Sequence, residues 1–473
     1  MNFTFTSLSF WAVFPVLFIL YWIIPNRYIT VRKLYLLVVS YVIYMAYRPI
    51  FALVLLLVSV VTYVAALIIT RMDHGKKRNI VASLFIFLSI LPLLVFKYYN
   101  FINDSFYSLF SHWNINYSIP GLNWAIPIGI SFFTFQALGY LLDVLRGETN
   151  AEQNIIDYLL FIGFFPQIAS GPISKANELL PQIKSPSAFE YSKSVQGLKY
   201  LLWGMFIKIV IADRLGLFVD VVYSNYVHYS GATCLLASFA YSIQIYCDFC
   251  GYSLMAIGVA NTLGFKLINN FRRPYFAESI TDFWKRWHIS LTRWLTKNVY
   301  ISLGGSRCSR IRCWFNILVT FLVSGVWHGA NWTFIFWGMI HAIVQIVEKA
   351  FGWNKRDYNK FFRMGRILIT FVIINFAWIF FRLPTIKDAF SFISRVFIDF
   401  GHPQLSMIGG SSMIVLVFSI LMLIFKEIRE EYAPSSMIIL NRKPVRWAIY
   451  ISLFCCILGF GVLDGGQFIY ANF

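Results

Sequence analysis

Long runs of apolar residues recur along the whole chain and constrain its fold more strongly than any other feature. Most runs approach the ~20 residues that an α-helix needs to cross the hydrocarbon core of a bilayer. Only 13% of the residues are charged, against roughly 25% in a water-soluble domain. The candidate spans are residues 7–25, 34–47, 50–70, 79–96, 124–142, 155–170, 196–212, 231–247, 250–264, 313–329, 331–347, 366–382, 407–425 and 447–463.

These runs predict an all-α polytopic membrane protein, because lipid offers the backbone no hydrogen-bond partners and a helix satisfies its own. We expect about 11 to 14 transmembrane or re-entrant helices, since several runs are too short for a full crossing. No long soluble insertion separates the runs, so residues 1–473 are predicted to form a single membrane domain.

The distribution of charge predicts the orientation in the membrane. Residues 1–26 carry no charge and lack the basic start of a cleaved signal peptide, so they are predicted to form a retained first helix. Loops 26–33 and 71–78 are basic, which predicts that they lie in the cytoplasm and that the N-terminus lies outside. Counting spans onward gives the same cytoplasmic side to the basic segments 265–312, 348–366 and 426–446.

The net formal charge of +19 suggests a nucleic-acid partner only in a soluble protein. Here the cations lie in short loops between spans, so they reflect topology, and the bilayer is the expected partner rather than nucleic acid. Cys247 and Cys250 have the spacing of a metal-binding pair. No second pair or histidine cluster accompanies them, so no metal site is predicted.

Segment 265–312 is too polar to cross the membrane and too aromatic for a simple loop, so we interpret it as a basic amphipathic or re-entrant cytoplasmic segment. Ser279 and Asp282 have the spacing of a helix-capping box. The following "FWKRWHISLTRWLTK" is predicted to be one amphipathic helix. Its apolar face holds Trp284, His288, Leu291 and Leu295, with Trp287 and Trp294 beside them, and its other side holds Lys285, Arg286, Arg293 and Lys297.

Three histidines lie in apolar surroundings, where ionisable groups are expensive and are expected to be functional. His328 is interpreted either as a packing residue hydrogen-bonded across the bundle or as a general base. The small residues near it are expected to leave room for a substrate; they are Ser324, Gly325, Gly329 and Ala330. His288 either packs or assists a substrate oxygen, and His341 is expected to pack or to support the site.

Several sequence runs resemble the membrane-bound O-acyltransferase family, in its bacterial alginate O-acetyltransferase-like branch. The runs are "NWAIPIGISFFTFQALGYLLDVLRGE", "FIGFFPQIASGPISKANELLPQI", "QIYCDFCGYSLMAIGVANTLGF", "FRRPYFAESITDFWKRWHISLTRWLTKNVYISLGGSR" and "SGVWHGANWTFIFWGMIHA". The resemblance implies helices around a central tunnel, with an acyl-thioester donor reaching the site from the cytoplasm and a hydroxyl acceptor from the other face.

The resemblance also implies the catalytic residues. The family's essential histidine falls on His328, and a second position, histidine in this branch and often asparagine in eukaryotic relatives, falls on His288. Asp248 matches the family pattern. The pattern's Gly-Tyr-Ser-Asp is broken, because Gly251-Tyr252-Ser253 is followed by Leu254, so no role for that carboxylate carries over.

Together, the residues and the resemblance predict that acyl-coenzyme A, with acetyl-coenzyme A foremost, is a donor substrate rather than a bound cofactor. A basic cluster attracts the donor's phosphates, although the same cations are equally suited to anchoring the segment to anionic headgroups. The candidate substrate- or donor-binding residues are Arg272, Arg273, Trp284, Lys285, Arg286, Trp287, Arg293, Asp248, Gln136 and Asn331.

The predicted function is acetyl transfer across the membrane for O-acetylation of an exported cell-surface polysaccharide, with an extracytoplasmic acetyltransferase as partner. Peptidoglycan, teichoic acid (by D-alanyl transfer) or a lipid are alternative acceptors. A transporter is the non-enzyme alternative, but the two halves show no clear internal repeat, which transporters often have.

Overall fold

A computed structural model describes residues 4–185, 188–353, 360–404, 410–433, 442–462 and 469. Within these ranges the regular structure is helical throughout, which confirms the predicted all-α fold class. The central tunnel and the single domain stay predictions. The chain groups into two compact units: the first holds residues up to Leu198 with Ala256–Ile268, and the second holds Lys199–Met255 with the described residues from Asn269 onward.

The helices of the first unit begin near the N-terminus. They are α1 (Leu8–Ile23), α2 (Ile29–Met45), α3 (Pro49–Thr70), α4 (Lys76–Leu93), α5 (Tyr99–His112), α6 (Ile130–Leu145), α7 (Ile155–Gly163), α8 (Phe165–Ile168) and α9 (Ala176–Lys184). A π-helical turn, Leu94–Tyr98, joins α4 to α5. Two further helices contribute residues to both units. They are α10 (Tyr191–Met205) and the long helix over Gly231–Thr262.

The second unit holds most of the remaining helices. In chain order, the helices after α10 are α11 (Asp213–Ser224), α12 (Gly231–Thr262), α13 (Ile280–Arg286), α14 (Ile289–Leu295), α15 (Arg310–His328), α16 (Trp332–Ala350), α17 (Lys360–Arg382), α18 (Ile386–Ile398), α19 (Gly410–Tyr432) and α20 (Lys443–Phe460). π-Helical turns lie at Phe206–Ala212, between α10 and α11, and at Thr296–Tyr300, after α14.

Seven helical stretches of the described residues are long and apolar enough to cross a membrane, which supports a multi-pass membrane protein. They are Asn26–Met45, Pro49–Thr70, Lys76–His112, Gly231–Thr262, Arg310–His328, Phe361–Arg382 and Lys443–Phe460. The outward residues of these helices are apolar, as lipid contact requires; Val38, Leu53 and Leu84 are each more than half exposed.

The two predicted spans 231–247 and 250–264 are wrong as separate helices, because α12 runs without interruption through both. The first predicted span ended at residue 247, and the charged Asp248 follows directly. The Lys208 Nζ lies 2.5 Å from a carboxylate oxygen of Asp248 and 2.5 Å from one of Asp213, so two buried acids share this cation. Because a buried carboxylate with a close cation needs no exit to water, the helix continues.

The short apolar stretch predicted as span 155–170 is broken into α7 and α8 at Phe164, with Pro166 in the first turn of α8. The residues before and after it meet, since Lys184 forms a 2.7 Å ion pair with Glu152. The chain from Glu152 to Lys184 therefore returns close to its starting point, with α7 leading away and α9 leading back.

Other contacts hold the polar ends of the first unit on one side. The Arg78 guanidinium donates to the Leu145 carbonyl at 3.0 Å, and Lys33 pairs with Asp157 at 2.8 Å. After α12, the Lys266 backbone N–H donates to the Gln182 side chain at 2.8 Å. The basic loops after α1 and α3, the entrance to α7 and the residues after α12 therefore share one side of this unit.

Candidate functional site

The basic segment begins its helices as predicted and then departs from the prediction. Ser279 caps α13, where its hydroxyl oxygen accepts the Asp282 N–H at 3.0 Å. The single helix expected over "FWKRWHISLTRWLTK" is wrong, because the chain breaks at His288, which has a left-handed backbone (φ 43°). Asn270 causes the break: its backbone carbonyl accepts the Ile289 N–H at 2.9 Å and its side chain accepts the Ser290 N–H at 3.2 Å.

The break holds the His288 imidazole in a buried aromatic environment. The ring is fully buried, with its centroid 4.7 Å from the Phe249 ring and 5.6 Å from the Trp327 ring. His288 lies between α13 and α14, outside the candidate membrane spans. Burial lowers the pKa of this imidazole to about 3, so the ring is neutral at physiological pH.

His328 is the last residue of α15 and is almost completely buried. Its ring lies 4.9 Å from Trp327, 4.9 Å from Trp337 and 5.3 Å from Phe381, measured between centroids. Trp327 therefore contacts both His328 and His288. The two histidines, forty residues apart in the sequence, belong to one buried aromatic cluster.

His341 joins the same cluster from α16. Its ring lies 4.8 Å from Trp337, and its Nδ1 accepts a long hydrogen bond of 3.4 Å from the Trp284 indole N–H. This contact fixes Trp284, one of the predicted donor-binding residues. The placement fits the packing or supporting role expected for His341.

A cavity of about 270 Å³ opens beside this cluster in the second unit. It is lined by Thr281, Trp284, Lys285, Thr292, Leu295, Thr296, Tyr300, Ile317, Thr320, Phe321, Ser324, Gln345 and Lys349. Ile317, Phe321 and Ser324 lie at helical spacing along one face of α15. This stripe of the cavity wall ends one turn before His328. The mouth of the cavity is polar, because the exposed Lys285 and Thr296 line it.

The predicted donor-binding cations lie in different environments. Lys285 is exposed at the cavity, and Arg272 is exposed as well. Arg273 and Arg286 instead pair with the Glu431 carboxylate of α19, at 2.8 and 3.0 Å.

Arg286 departs from its predicted helix face, and Arg293 is not among the residues that line the cavity. Arg286, predicted on the open side of the helix, is buried, because Asp282 also binds it at 2.9 Å. Arg293 is half-buried in α14.

Four other candidate residues have structural contacts of their own. Trp287 is fully buried, with its ring 5.1 Å from Trp378. Asn331 caps α16, where its side chain accepts the Thr333 N–H at 3.0 Å and donates to the Pro384 carbonyl.

Gln136 lies in the first unit, where its amide donates to the Phe161 carbonyl at 2.6 Å and accepts the Ser174 N–H at 3.2 Å. Asp248, besides its bond to Lys208, accepts the Ile469 N–H at 2.9 Å. Lys208 was missed by the sequence analysis, although a lysine inside the apolar run 196–212 was a signal that a buried partner existed.

Of the small residues near His328, Gly325 and Gly329 serve helix packing, whereas Ser324 lines the cavity. A Cβ at Gly325 would lie 2.4 Å from the Phe334 carbonyl oxygen, and one at Gly338 would lie 2.4 Å from the Phe321 carbonyl oxygen. At Gly329 the Phe334 ring occupies the space. Helices α15 and α16 approach so closely because these positions lack side chains.

Comparison with known proteins identifies the family. Residues 36–384 match MBOAT, the membrane-bound O-acyltransferase family. The chain is 34% identical over 427 residues to the probable alginate O-acetylase AlgI of Pseudomonas aeruginosa, covering 88% of this chain and 80% of that protein. It is 36% identical over 349 residues to the peptidoglycan O-acetyltransferase of Helicobacter pylori, covering 67% and 65%.

A more distant relative carries a different acyl group in its name: the teichoic acid D-alanyltransferase of Bacillus subtilis is 28% identical over 309 residues, covering 61% of this chain and 74% of that protein. These matches confirm the resemblance drawn from the motifs. The chain belongs to the membrane-bound O-acyltransferase family and is a multi-pass membrane O-acyltransferase.

Proposed function

We propose that the protein is an O-acetyltransferase that passes an acetyl group from a cytoplasmic thioester donor toward an exported cell-surface polysaccharide. The observation that carries this proposal is the pairing of His288 and His328 on Trp327, beside a cavity whose wall ends one turn before His328. The names of two relatives, an alginate O-acetylase and a peptidoglycan O-acetyltransferase, support acetyl as the group transferred.

The donor proposed is acyl-coenzyme A, bound with its thioester arm in the cavity. Apolar walls formed by Trp284, Phe321 and Leu295 suit the arm, and the exposed Lys285 at the mouth suits the nucleotide phosphates. Arg273 and Arg286 contribute less to phosphate binding than the sequence suggests, because Glu431 and Asp282 already balance their charge.

The chemical role proposed for His328 is that of general base. The neutral imidazole takes the proton of the acceptor hydroxyl, and the resulting oxygen nucleophile attacks the thioester carbonyl carbon. The C–S bond then breaks, and the imidazolium returns its proton to the leaving thiolate. His288, neutral at physiological pH, donates a hydrogen bond to the oxyanion that forms between the two steps.

The orientation proposed has the basic loops in the cytoplasm and the N-terminus outside, in a bacterial inner membrane. The shared side of these loops in the first unit supports it, as does their excess of Lys and Arg. Merging two predicted spans into α12 removes one crossing, and a re-entrant 155–170 removes another. Because two crossings are removed, the segments after α12 keep the sides predicted for them.

Labelling of Cys308 tests this orientation. Cys308 is exposed in the basic segment, so we expect a membrane-impermeant maleimide to label it in inverted vesicles and not in intact cells. A Cys455→Ser background removes the exposed thiol of α20. Labelling of Cys308 in intact cells would contradict the orientation.

An extracytoplasmic acetyltransferase is proposed to complete the transfer to the polymer. On the proposed outer side, the longest segment between predicted spans, residues 97–123, is far shorter than the 50 or so residues of a small domain. Affinity purification from membranes is expected to recover an exported acetyltransferase. Acetylation of the polymer by the purified chain alone would rule out the need for one.

Deletion of the gene tests the function as a whole. We expect the deletion strain to lose O-acetyl esters from one surface polysaccharide, measured by mass spectrometry of the purified polymers, and the reintroduced gene to restore them. Loss of D-alanyl esters would instead favour the teichoic acid alternative that the Bacillus subtilis relative suggests. Unchanged esters on every surface polymer would overturn the proposal.

A further inference from the structure

The hydroxyl group of Ser324 sets it apart from the other residues of the cavity wall. The side chain is 1% exposed, and its oxygen has no hydrogen-bond partner among the described residues. Buried hydroxyl groups are nearly always bonded, because leaving one unsatisfied costs about 1–3 kcal/mol. Ser324 combines this missing bond with a place in the cavity wall, which makes its hydroxyl a candidate for contact with a ligand.

Thr320, one turn earlier on the same helix, shows how such a hydroxyl is ordinarily satisfied. It also lines the cavity, and its hydroxyl donates to the Asn316 carbonyl at 2.6 Å. A serine within a helix has the same option of bonding the carbonyl four residues back. Ser324 does not use it, so its hydroxyl has no hydrogen-bond partner within the described part of the chain.

The position of Ser324 relative to His328 gives this hydroxyl a chemical purpose. The two residues are four apart on α15 and therefore lie on one face, with about 5–6 Å between their Cβ atoms. A donor whose arm follows the stripe from Ile317 to Ser324 carries its thioester to the last turn before the base.

We propose that the Ser324 hydroxyl donates a hydrogen bond to the carbonyl oxygen of the donor's thioester. This assignment rests on the proposed function, since it requires a thioester in this cavity. The bond orients the carbonyl carbon toward the nucleophile, and it strengthens as negative charge develops on that oxygen. The ligand chemistry is that of a pantetheine thioester, which is common to coenzyme A and to carrier proteins.

Two donor analogues that differ only in the carbonyl test the assignment. One is the ketone in which a methylene replaces the sulfur of acetyl-coenzyme A, and the other is the alkyl analogue that carries the same methylene and has a second methylene in place of the carbonyl group. We expect the purified wild-type protein to bind the ketone about tenfold more tightly. Ser324→Ala is expected to remove that preference. An equal preference in wild type and Ser324→Ala would overturn the assignment.

Further arms separate this assignment from the proposed function itself. Lys285→Ala should weaken both coenzyme A analogues alike and keep the ketone preference. If neither analogue binds the wild type, the donor site is refuted rather than the role of Ser324 alone. The same pair built on pantetheine should show the same preference, and added affinity from the nucleotide then identifies coenzyme A as the donor rather than a carrier protein.

Stability provides a readout that a packing role would not give. Removing an unsatisfied hydroxyl should leave the melting temperature of Ser324→Ala unchanged or higher, while kcat falls about 10²-fold. Ser242→Ala on α12 is the matched control, because that buried hydroxyl accepts from Asn375 at 2.8 Å. We expect this control to lower the melting temperature and keep the ketone preference. A lower melting temperature with unchanged kcat in Ser324→Ala would contradict the assignment.

Discussion

A His328→Gln variant is expected to fold and insert normally but to lose acyl transfer by at least about 10²- to 10⁴-fold, the usual contribution of a general base. Glutamine has a volume close to that of histidine, so it keeps the contacts with Trp337 and Phe381. It cannot accept a proton at neutral pH, which isolates the chemical role from the packing role. The measurement is transfer of labelled acetyl groups from acetyl-coenzyme A by protein in liposomes.

The control for this experiment is His112→Ala, at the exposed end of α5, which should transfer acetyl groups at the wild-type rate. Size-exclusion profiles and melting temperatures of all three proteins establish that they are folded. Retained transfer by a folded His328→Gln protein would refute the base assignment and leave His328 as a packing residue of the aromatic cluster.

The second large effect concerns stability. Gly325→Ala is expected to lower the free energy of unfolding by about 1–3 kcal/mol or more, as overpacking does. The added Cβ would lie 2.4 Å from the Phe334 carbonyl oxygen, an atom of the α16 backbone that cannot turn aside as a side chain does. Helices α15 and α16 must separate, and His328 at the end of α15 moves with them. Thermal unfolding in detergent measures the loss.

Gly365→Ala on α17 is the matched control, because no atom lies within 4 Å of the Cβ it would add. Alanine is favoured over glycine in a helix by about 0.8–1 kcal/mol, so this variant should melt at the same or a higher temperature. Equal melting temperatures for the two variants would show that the close approach at Gly325 does not stabilise the protein.

Sequence patterns predict the features of this protein that depend on neighbouring residues. The apolar runs locate most of the helices, and the spacing of Ser279 and Asp282 predicts the capping of α13. The histidines in apolar surroundings also converge on one cluster. These features share a physical basis, because helical period and lipid exposure act over one or two turns.

The features that sequence patterns miss depend on distant partners. Asp248 stays inside one long helix because it pairs with Lys208, forty residues earlier in the chain. Arg286 is buried because it pairs with Glu431. The predicted helix ends at His288 because Asn270 accepts hydrogen bonds from the next two backbone N–H groups. Periodicity carries no information about such partners, so local patterns predict a split helix, an exposed arginine and a continuous helix in their place.

The left-handed backbone at His288 limits which amino acids this position can accept. Among non-glycine residues, asparagine, aspartate and histidine enter that conformation several-fold more often than others, whereas β-branched residues rarely do. The resemblance to the acyltransferase family implies histidine here in the alginate O-acetyltransferase-like branch and often asparagine in eukaryotic relatives. Both are among the few side chains that combine a hydrogen-bonding group with tolerance of this backbone, so steric demands narrow the evolutionary choice at this position before chemistry selects within it.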